Sequence, residues 1–139
     1  KKSNSTRRIF LITGDGELAE GSNWEAALAA AHYGLDNLVI INDKNNLQLA
    51  GPTREIMNTD PLADKWRAFG MAVSECQGND MASVVAAIEG LQQKGKPNVI
   101  IANTTKGAGI SFIQGRPEWH HRVPKGEEIA LALEELKDE

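Results

Sequence analysis

Two short polar segments carry the residue types of a cation and phosphate site. One is Gly14-Asp15-Gly16-Glu17, and the other is Asp43-Lys44-Asn45-Asn46-Leu47. Asp15 offers a carboxylate, Asn45 a neutral amide oxygen and Leu47 a backbone carbonyl. Such oxygen donors suit magnesium or calcium, and magnesium keeps places for phosphates and water. Gly14 and Gly16 let a ligand approach the backbone with no side chain in the way. The N–H groups around Gly16 and Glu17 stand near a helix start, where a diphosphate is favoured. One carboxylate does not neutralise a divalent ion, so an anionic cofactor is expected to supply the rest. Taken singly, a Gly-Asp-Gly is ordinarily a turn and an Asn-Asn in a polar loop says less still. The pair gains meaning from its placement. It is not a Walker loop, because no Lys-Ser/Thr follows the glycines. Nor does a GxGxxG dinucleotide fingerprint lie between strand and helix.

The elements around these segments alternate. Arg8–Thr13 reads as a short apolar strand ending at Gly14, and Asn37–Asn42 as a second strand, apolar on both faces. Between them a helix is predicted from about Asn23 to Tyr33. Trp24, Leu28, Ala31 and Leu35 recur at helical spacing, Ser22 or Asn23 caps the start, and Gly34 stops it. This makes a βαβ unit of about thirty residues. A right-handed crossover sets the two strand ends side by side, about 4.8 Å apart if they pair. Asp43–Pro52 reads as a polar loop, Pro61–Phe69 as a shorter helix and Gly70–Cys76 as a third strand. Asp80 caps a helix bearing Val84, Ile88 and Leu91, which Gly95-Lys96-Pro97 ends. Asn98–Asn103 is a fourth strand. Residues 104–124 have no periodic run, and a last helix from about Glu127 carries Ile129, Leu133 and Leu136 with six acids flanking them. Strands and helices in this order predict an α/β fold, a parallel sheet with helices on both faces. Ligands of such sheets bind beyond the carboxyl ends of the strands, where both polar segments lie.

Composition narrows the possibilities. The chain has 139 residues, 41% hydrophobic and 24% charged, which suits one globular domain. Its apolar runs, Leu38–Ile41 and Val99–Ala102 among them, are far too short to cross a bilayer, so no membrane partner is expected. The basic start (Lys1, Lys2, Arg7, Arg8) lacks a following apolar region of the secretory kind and reads as a solvated approach to the first strand. A net charge of −4 gives no footprint for nucleic acid. A lone cysteine, Cys76, suits a reducing compartment, and cytoplasmic localisation is expected. Seventeen alanines and thirteen glycines suit tight helix–sheet packing.

At these motifs the sequence resembles the thiamine diphosphate enzymes, whose cofactor motif starts Gly-Asp-Gly and ends in Asn-Asn or Asn-X after about thirty residues, here Gly14 to Asn46. GDGELAEGSNWEAALAAAHYGLDNLVIINDKNNLQLAGPT is narrower in its likeness. It is similar to transketolase, especially the short amino-terminal subunit of split bacterial transketolases. The likeness runs on through PLADKWRAFGMAV and GKPNVIIANTTKGAGISFI to PEWHHRVP, nearly the whole chain.

The resemblance implies specific roles. Asp15, Asn45 and the Leu47 carbonyl would hold Mg2+ or Ca2+, and Gly14, Gly16 and Glu17 would contact the diphosphate. Glu20 matches a glutamate at the family's dimer interface, linked to the partner active site. His120 matches a histidine near the diphosphate and the reacting sugar. His121 stands where the family often has glycine, and Ala108 where a lysine is common. The implied activity moves a two-carbon ketol unit from a ketose phosphate to an aldose phosphate. The resemblance also implies that residues 1–139 form the carboxyl-terminal part of a diphosphate-side domain, incomplete at its amino-terminal side. The pyrimidine-binding domain would come from a partner, in a homo- or hetero-oligomer, and this stretch alone is expected to be inactive. Two other readings stand beside it. One is another thiamine-dependent reaction, of the deoxyxylulose-phosphate-synthase or 2-oxo acid dehydrogenase kind. The other is a non-catalytic module derived from such an enzyme.

The remaining candidates have plainer readings. His32 lies mid-helix as a packing or surface residue. Cys76 is an inert strand thiol with no base evident to lower its pKa. Trp24 and Trp66 pack in the core or an interface, and Trp119 either packs or positions His120.

Overall fold

In the computed structural model, residues 5–49, 51–91 and 94–138 are described. Lys1 and Lys2 of the basic start, Ala50 of the polar loop and Glu139, the last of the terminal acids, lie outside them.

Strand β1 (Ile9–Gly14) leads through a 3-10 turn (Gly16–Ala19) into helix α1 (Gly21–His32). Strand β2 (Leu38–Lys44) follows, then a small hairpin of β3 (Leu47–Gln48) and β4 (Gly51–Pro52), and the short helix α2 (Thr53–Ile56). Helix α3 (Leu62–Ala68), strand β5 (Ala72–Gln77), helix α4 (Met81–Glu89) and strand β6 (Asn98–Asn103) complete the sheet. A 3-10 turn (Pro117–His120), helix α5 (Glu127–Glu135) and a final 3-10 turn (Leu136–Asp138) follow.

The four long strands form one parallel sheet in the order β1-β2-β6-β5. Alternate side chains divide the core between its two faces. Ile40, Val99 and Ile101 pack with Leu18, Ala27, Ala30, Leu62 and Trp66 under α1 and α3. Val39, Ile100, Cys76 and Ala102 pack against Val84, Ala87, Ile88 and Leu91 from the side of α4. Helices therefore cover both faces, as the alternation of elements predicts. Trp66, Leu18 and Leu62 are each at most 2% exposed, and full burial of such side chains is worth about 1.5–3 kcal/mol apiece.

Several boundaries differ from the sequence reading. Strand β2 continues through Asp43 and Lys44, because β6 keeps pairing as far as Lys44 with Asn103. What reads as a polar loop then contains the β3–β4 hairpin. Ser22 and Asn23 do not cap α1. The preceding 3-10 turn runs straight into the helix, so Glu20 takes the cap position, without a side-chain bond. Gly34 does end the helix in the left-handed region, at φ +55°. Helix α4 stops at Gly90, ahead of Gly95, whereas Asp80 caps its start by accepting from Ala82 N–H at 3.0 Å.

Two apolar surfaces stay open. Ile9, Phe10, Leu11 and Ile12 point alternately to both faces of edge strand β1, and all are exposed. On α5 the expected stripe of Ile129, Leu133 and Leu136 is also exposed, and only Ala132 is buried. That helix is instead tied by Glu135, whose carboxylate accepts from the Ser111 N–H and hydroxyl.

Candidate functional site

The parallel register sets Gly14 beside Asp43, and Lys44 beside Asn103, at one carboxyl edge of the sheet. The two polar segments therefore leave the sheet together. Asp15 is buried, 3% exposed. Its Oδ2 accepts from the Asn46 N–H at 2.5 Å, which joins the two segments directly. Asn46 has φ +61°, a conformation that asparagine tolerates better than most residues. That turn aims its N–H at Asp15. Asn45 uses its Oδ1 within its own segment, accepting from the Leu47 N–H at 2.9 Å. Behind them, the buried Asn42 side chain donates to the Thr13 carbonyl at 3.3 Å and holds the two strand ends together.

The other carboxylate oxygen of Asp15, Oδ1, is buried without a hydrogen-bond partner. Burial pushes the Asp15 carboxyl above its ordinary value. The bonds from Asn46 and Asn45 oppose that shift, the nearby Asp43 adds to it and Lys44 opposes it. A buried acid with an orphaned oxygen costs stability unless a cation or donor meets it. Among the described residues no group of three His, Cys, Asp or Glu side chains could hold a metal. A cation here would draw on one carboxylate, an amide, a carbonyl and oxygens of a bound ligand. This matches hard-cation chemistry with a phosphate co-ligand.

The first turn of α1 braces the turn after β1. Asn23 Nδ2 donates to the Glu17 carbonyl at 2.6 Å, and Trp24 Nε1 to the Leu18 carbonyl at 2.9 Å. Glu17 Oε2 accepts from the Gly14 N–H at 2.6 Å. Gly16 packs closely under Gln48: a Cβ there would sit 3.2 Å from Gln48 Cγ. Over this turn opens a cavity of about 530 Å³, lined by Gly14, Gly16, Glu17, Glu20, Gln48 and His120 among others. That volume lies within the ordinary range for small-molecule sites.

His120 reaches the cavity from the far end of the chain. Its 3-10 turn is anchored by the buried Trp119, which meets Phe112 edge-on at 5.5 Å and carries the Arg122 guanidinium 4.1 Å over its ring. His120, rather than His121, is the histidine that lines the cavity. Loss of hydration, then the charges of Lys106 and His121, push its pKa below the usual value.

Of the residues singled out from sequence, the structure gathers Asp15 with Asn45–Leu47 at the strand ends. It gathers Gly14, Gly16, Glu17, Glu20 and His120 around the cavity. Sequence reasoning missed Gln48, which covers Gly16 and has a buried, unpartnered Oε1. It also missed Lys106, which touches His120. Gln48 has no motif to announce it, and Lys106 lies in the Thr105–Gly109 loop of the resemblance without a role attached to it. Trp24 and Trp66 pack against each other, ring centroids 4.8 Å apart.

Residues 2–137 match the family described as transketolase, thiamine diphosphate binding domain. The chain belongs to this family. It is 73% identical over all 139 residues to an apulose-4-phosphate transketolase subunit of Actinobacillus succinogenes, of which it spans 50%. It is 42% identical over 132 residues, 94% of the chain, to a 6-deoxy-6-sulfo-D-fructose transketolase subunit of a Clostridium species, of which it spans 48%. The chain thus spans about half the length of these curated relatives. Among solved structures, a transketolase from Campylobacter jejuni superimposes with a TM-score of 0.86 at 31% identity, over 92% of this chain and 20% of that one. No described helix is long and apolar enough to cross a membrane.

Proposed function

We propose that residues 1–139 are the carboxyl-terminal part of the diphosphate-side domain of a split transketolase. They bind thiamine diphosphate and a divalent metal, Mg2+ or Ca2+. The observation that carries this is the buried Asp15 carboxylate, one oxygen bonded to Asn46 and the other orphaned, beside the glycine-walled cavity. Asp15, the Asn45 amide oxygen and the Leu47 carbonyl are the metal donors. The backbone at Gly14, Gly16 and Glu17 meets the diphosphate.

Thiamine diphosphate supplies the electron sink for breaking and forming the carbon–carbon bond of a two-carbon ketol transfer. The chain's own residues bind and orient. His120 lines the cavity as a nitrogen acid or base, the role imidazole fills at neutral pH. Glu20, at the cap of α1 and on the same cavity wall, faces the partner and is the route by which the partner's site is completed. Ketose and aldose phosphates are the substrates. The relative of 73% identity makes apulose 4-phosphate the first ketose phosphate to assay.

The partner is a pyrimidine-binding transketolase domain or subunit, in a homo- or hetero-oligomer. The word "subunit" in both relatives' names supports this. A free, buried Cys76 suits a cytoplasmic setting. The test is turnover of a ketose phosphate with an aldose phosphate acceptor by the complete subunit, its partner, thiamine diphosphate and Mg2+. Turnover by the assembly and none by residues 1–139 alone is expected. An assembly that binds the cofactor but transfers no ketol unit from any ketose phosphate would overturn the activity.

A further inference from the structure

Lys106 and His120 meet at the cavity wall, with Lys106 Nζ 3.4 Å from His120 Nδ1. An ammonium group has three donors and no acceptor, so this contact bonds only when Nδ1 keeps its lone pair. In a neutral imidazole the proton then sits on Nε2. A doubly protonated ring would instead turn an N–H toward the lysine and set two cations against each other.

Both partners are held in place from separate directions. Lys106 sits in the turn after β6, where its carbonyl accepts from the Gly115 N–H at 2.8 Å. The next residue, Gly107, has φ +68° and packs so closely on Ile113 that a Cβ would fall 2.5 Å from Ile113 Cγ2. His120 is fixed by the buried Trp119 beside it. Local sequence thus sets both backbones, and the side chains meet across them.

We propose that Lys106 is a positioning residue: it holds His120 as the neutral tautomer with its proton on Nε2, leaving Nε2–H as the ring's donor to an oxygen in the cavity. The consequence for catalysis rests on the reading of this cavity as the cofactor and sugar-phosphate site; the tautomer itself does not. The charged and titratable groups around the ring are Lys106 from the turn after β6, His121 with its ring centroid 4.4 Å away, and Glu17 and Glu20 on the cavity wall. Loss of hydration, then the charges of Lys106 and His121, disfavour the imidazolium and hold the pKa below the usual value. A lysine in this position therefore keeps the ring a neutral Nε2–H donor, with its one basic nitrogen turned to the lysine.

The test uses the complete protein labelled with 15N-histidine, with His120 assigned by the signal lost in His120→Gln. Long-range 1H–15N correlations from about pH 5 to about pH 9 read both tautomer and titration. Wild type is expected to show the Nε2–H pattern throughout its neutral range. In Lys106→Met the Nδ1 resonance moves toward a tautomer-averaged position and the titration midpoint rises, whereas Lys106→Arg keeps both near wild type. Assembled with the partner, Lys106→Met loses on the order of 10-fold in kcat, as loss of an orienting partner commonly does. The acidic limb of its pH profile moves up in step with the NMR midpoint. An Nδ1–H pattern in wild type, or unchanged shifts and midpoint in Lys106→Met, would overturn the proposal. If the NMR result holds and no assembly turns over sugar phosphate, the tautomer assignment stands and the transketolase activity falls.

Discussion

Replacing Asp15 by Asn separates a metal-binding carboxylate from a merely structural one. The amide keeps the size of the side chain and an oxygen that accepts the Asn46 N–H. It removes the charge whose second oxygen is buried without a partner. In the cation-free protein the raised pKa of Asp15 sets the sign. A carboxyl whose folded pKa exceeds its unfolded value costs stability as pH rises through that folded pKa. Asp15→Asn lacks this penalty, so without cation it is expected to melt within a few degrees of wild type, with its relative advantage growing from acid toward neutral pH.

With Mg2+ and thiamine diphosphate the order reverses. A ligand at about 100 times its Kd stabilises the fold by about 2.7 kcal/mol. Outer partners of a metal site are worth about 10- to 100-fold in affinity, and a charged direct ligand is assigned at least the upper figure. A 100-fold weaker Kd leaves about 0.4 kcal/mol at the same ligand concentration. At about 2–4 °C per kcal/mol for a protein of about 150–250 residues, wild type gains about 5–10 °C and the variant about 1–2 °C. Thermal melts of the complete protein, with EDTA and with Mg2+ plus cofactor, read both effects. An equal ligand-dependent gain in the two proteins would refute the metal role. A cation-free variant destabilised by more than about 3 kcal/mol would refute the claim that the buried charge is a cost.

Three further outcomes follow from packing and charge. Gly16→Ala places a Cβ 3.2 Å from Gln48 Cγ and is expected to lower stability by about 1 kcal/mol. Urea midpoints of Gly16→Ala/Gln48→Ala should recover most of that loss, and simple additivity would show that the contact is not the cause. Trp66, 1% exposed, should cost about 3–5 kcal/mol on change to Ala. Trp66→Phe should cost far less, because the indole Nε1 is buried without a partner; equal losses in the two variants would argue against this. Lys44 Nζ lies 2.8 Å from Asp60 Oδ1, and that bond, outweighing burial, holds the Asp60 carboxyl below its ordinary 3.8. The pair's stabilisation is present above that ordinary value and lost as pH falls through the lowered one; with Asp60 half exposed it amounts to less than about 1 kcal/mol. Asp60→Asn should therefore flatten only the acid limb of a denaturant-midpoint profile, and an effect centred at neutral pH would contradict the assignment.

Periodicity made most of the sheet legible in the sequence. NLVIIN and NVIIAN are apolar on both faces because they are the two inner strands, flanked by helices on each side. RIFLIT has the same character but lies at the edge, and nothing local distinguishes an edge strand whose apolar faces stay open. The α5 stripe misleads in the same way, since 3.6-residue spacing marks an apolar face without saying what covers it. At the site, the Gly-Asp-Gly and Asn-Asn segments were readable because strand order alone brings their ends together. The Asp15–Asn46 bond was not, because it needs the left-handed turn at Asn46. Gln48 and Lys106 were hidden for a related reason. Each acts by touching a residue distant in sequence, Gly16 or His120, and pairings of that kind leave no periodic trace. Asn23 looked like a helix cap, yet it braces the Glu17 carbonyl, because the helix begins two residues earlier than its capping chemistry suggests.

The central claim is that this cavity takes thiamine diphosphate through a metal held by Asp15, Asn45 and the Leu47 carbonyl. Isothermal titration of the complete protein with its partner, using thiamine diphosphate in Mg2+ and again in EDTA, tests it directly. The account predicts saturable binding in Mg2+ that is abolished by EDTA and weakened about 100-fold or more by Asp15→Asn. Binding of equal strength in EDTA, or none in either condition, would contradict it.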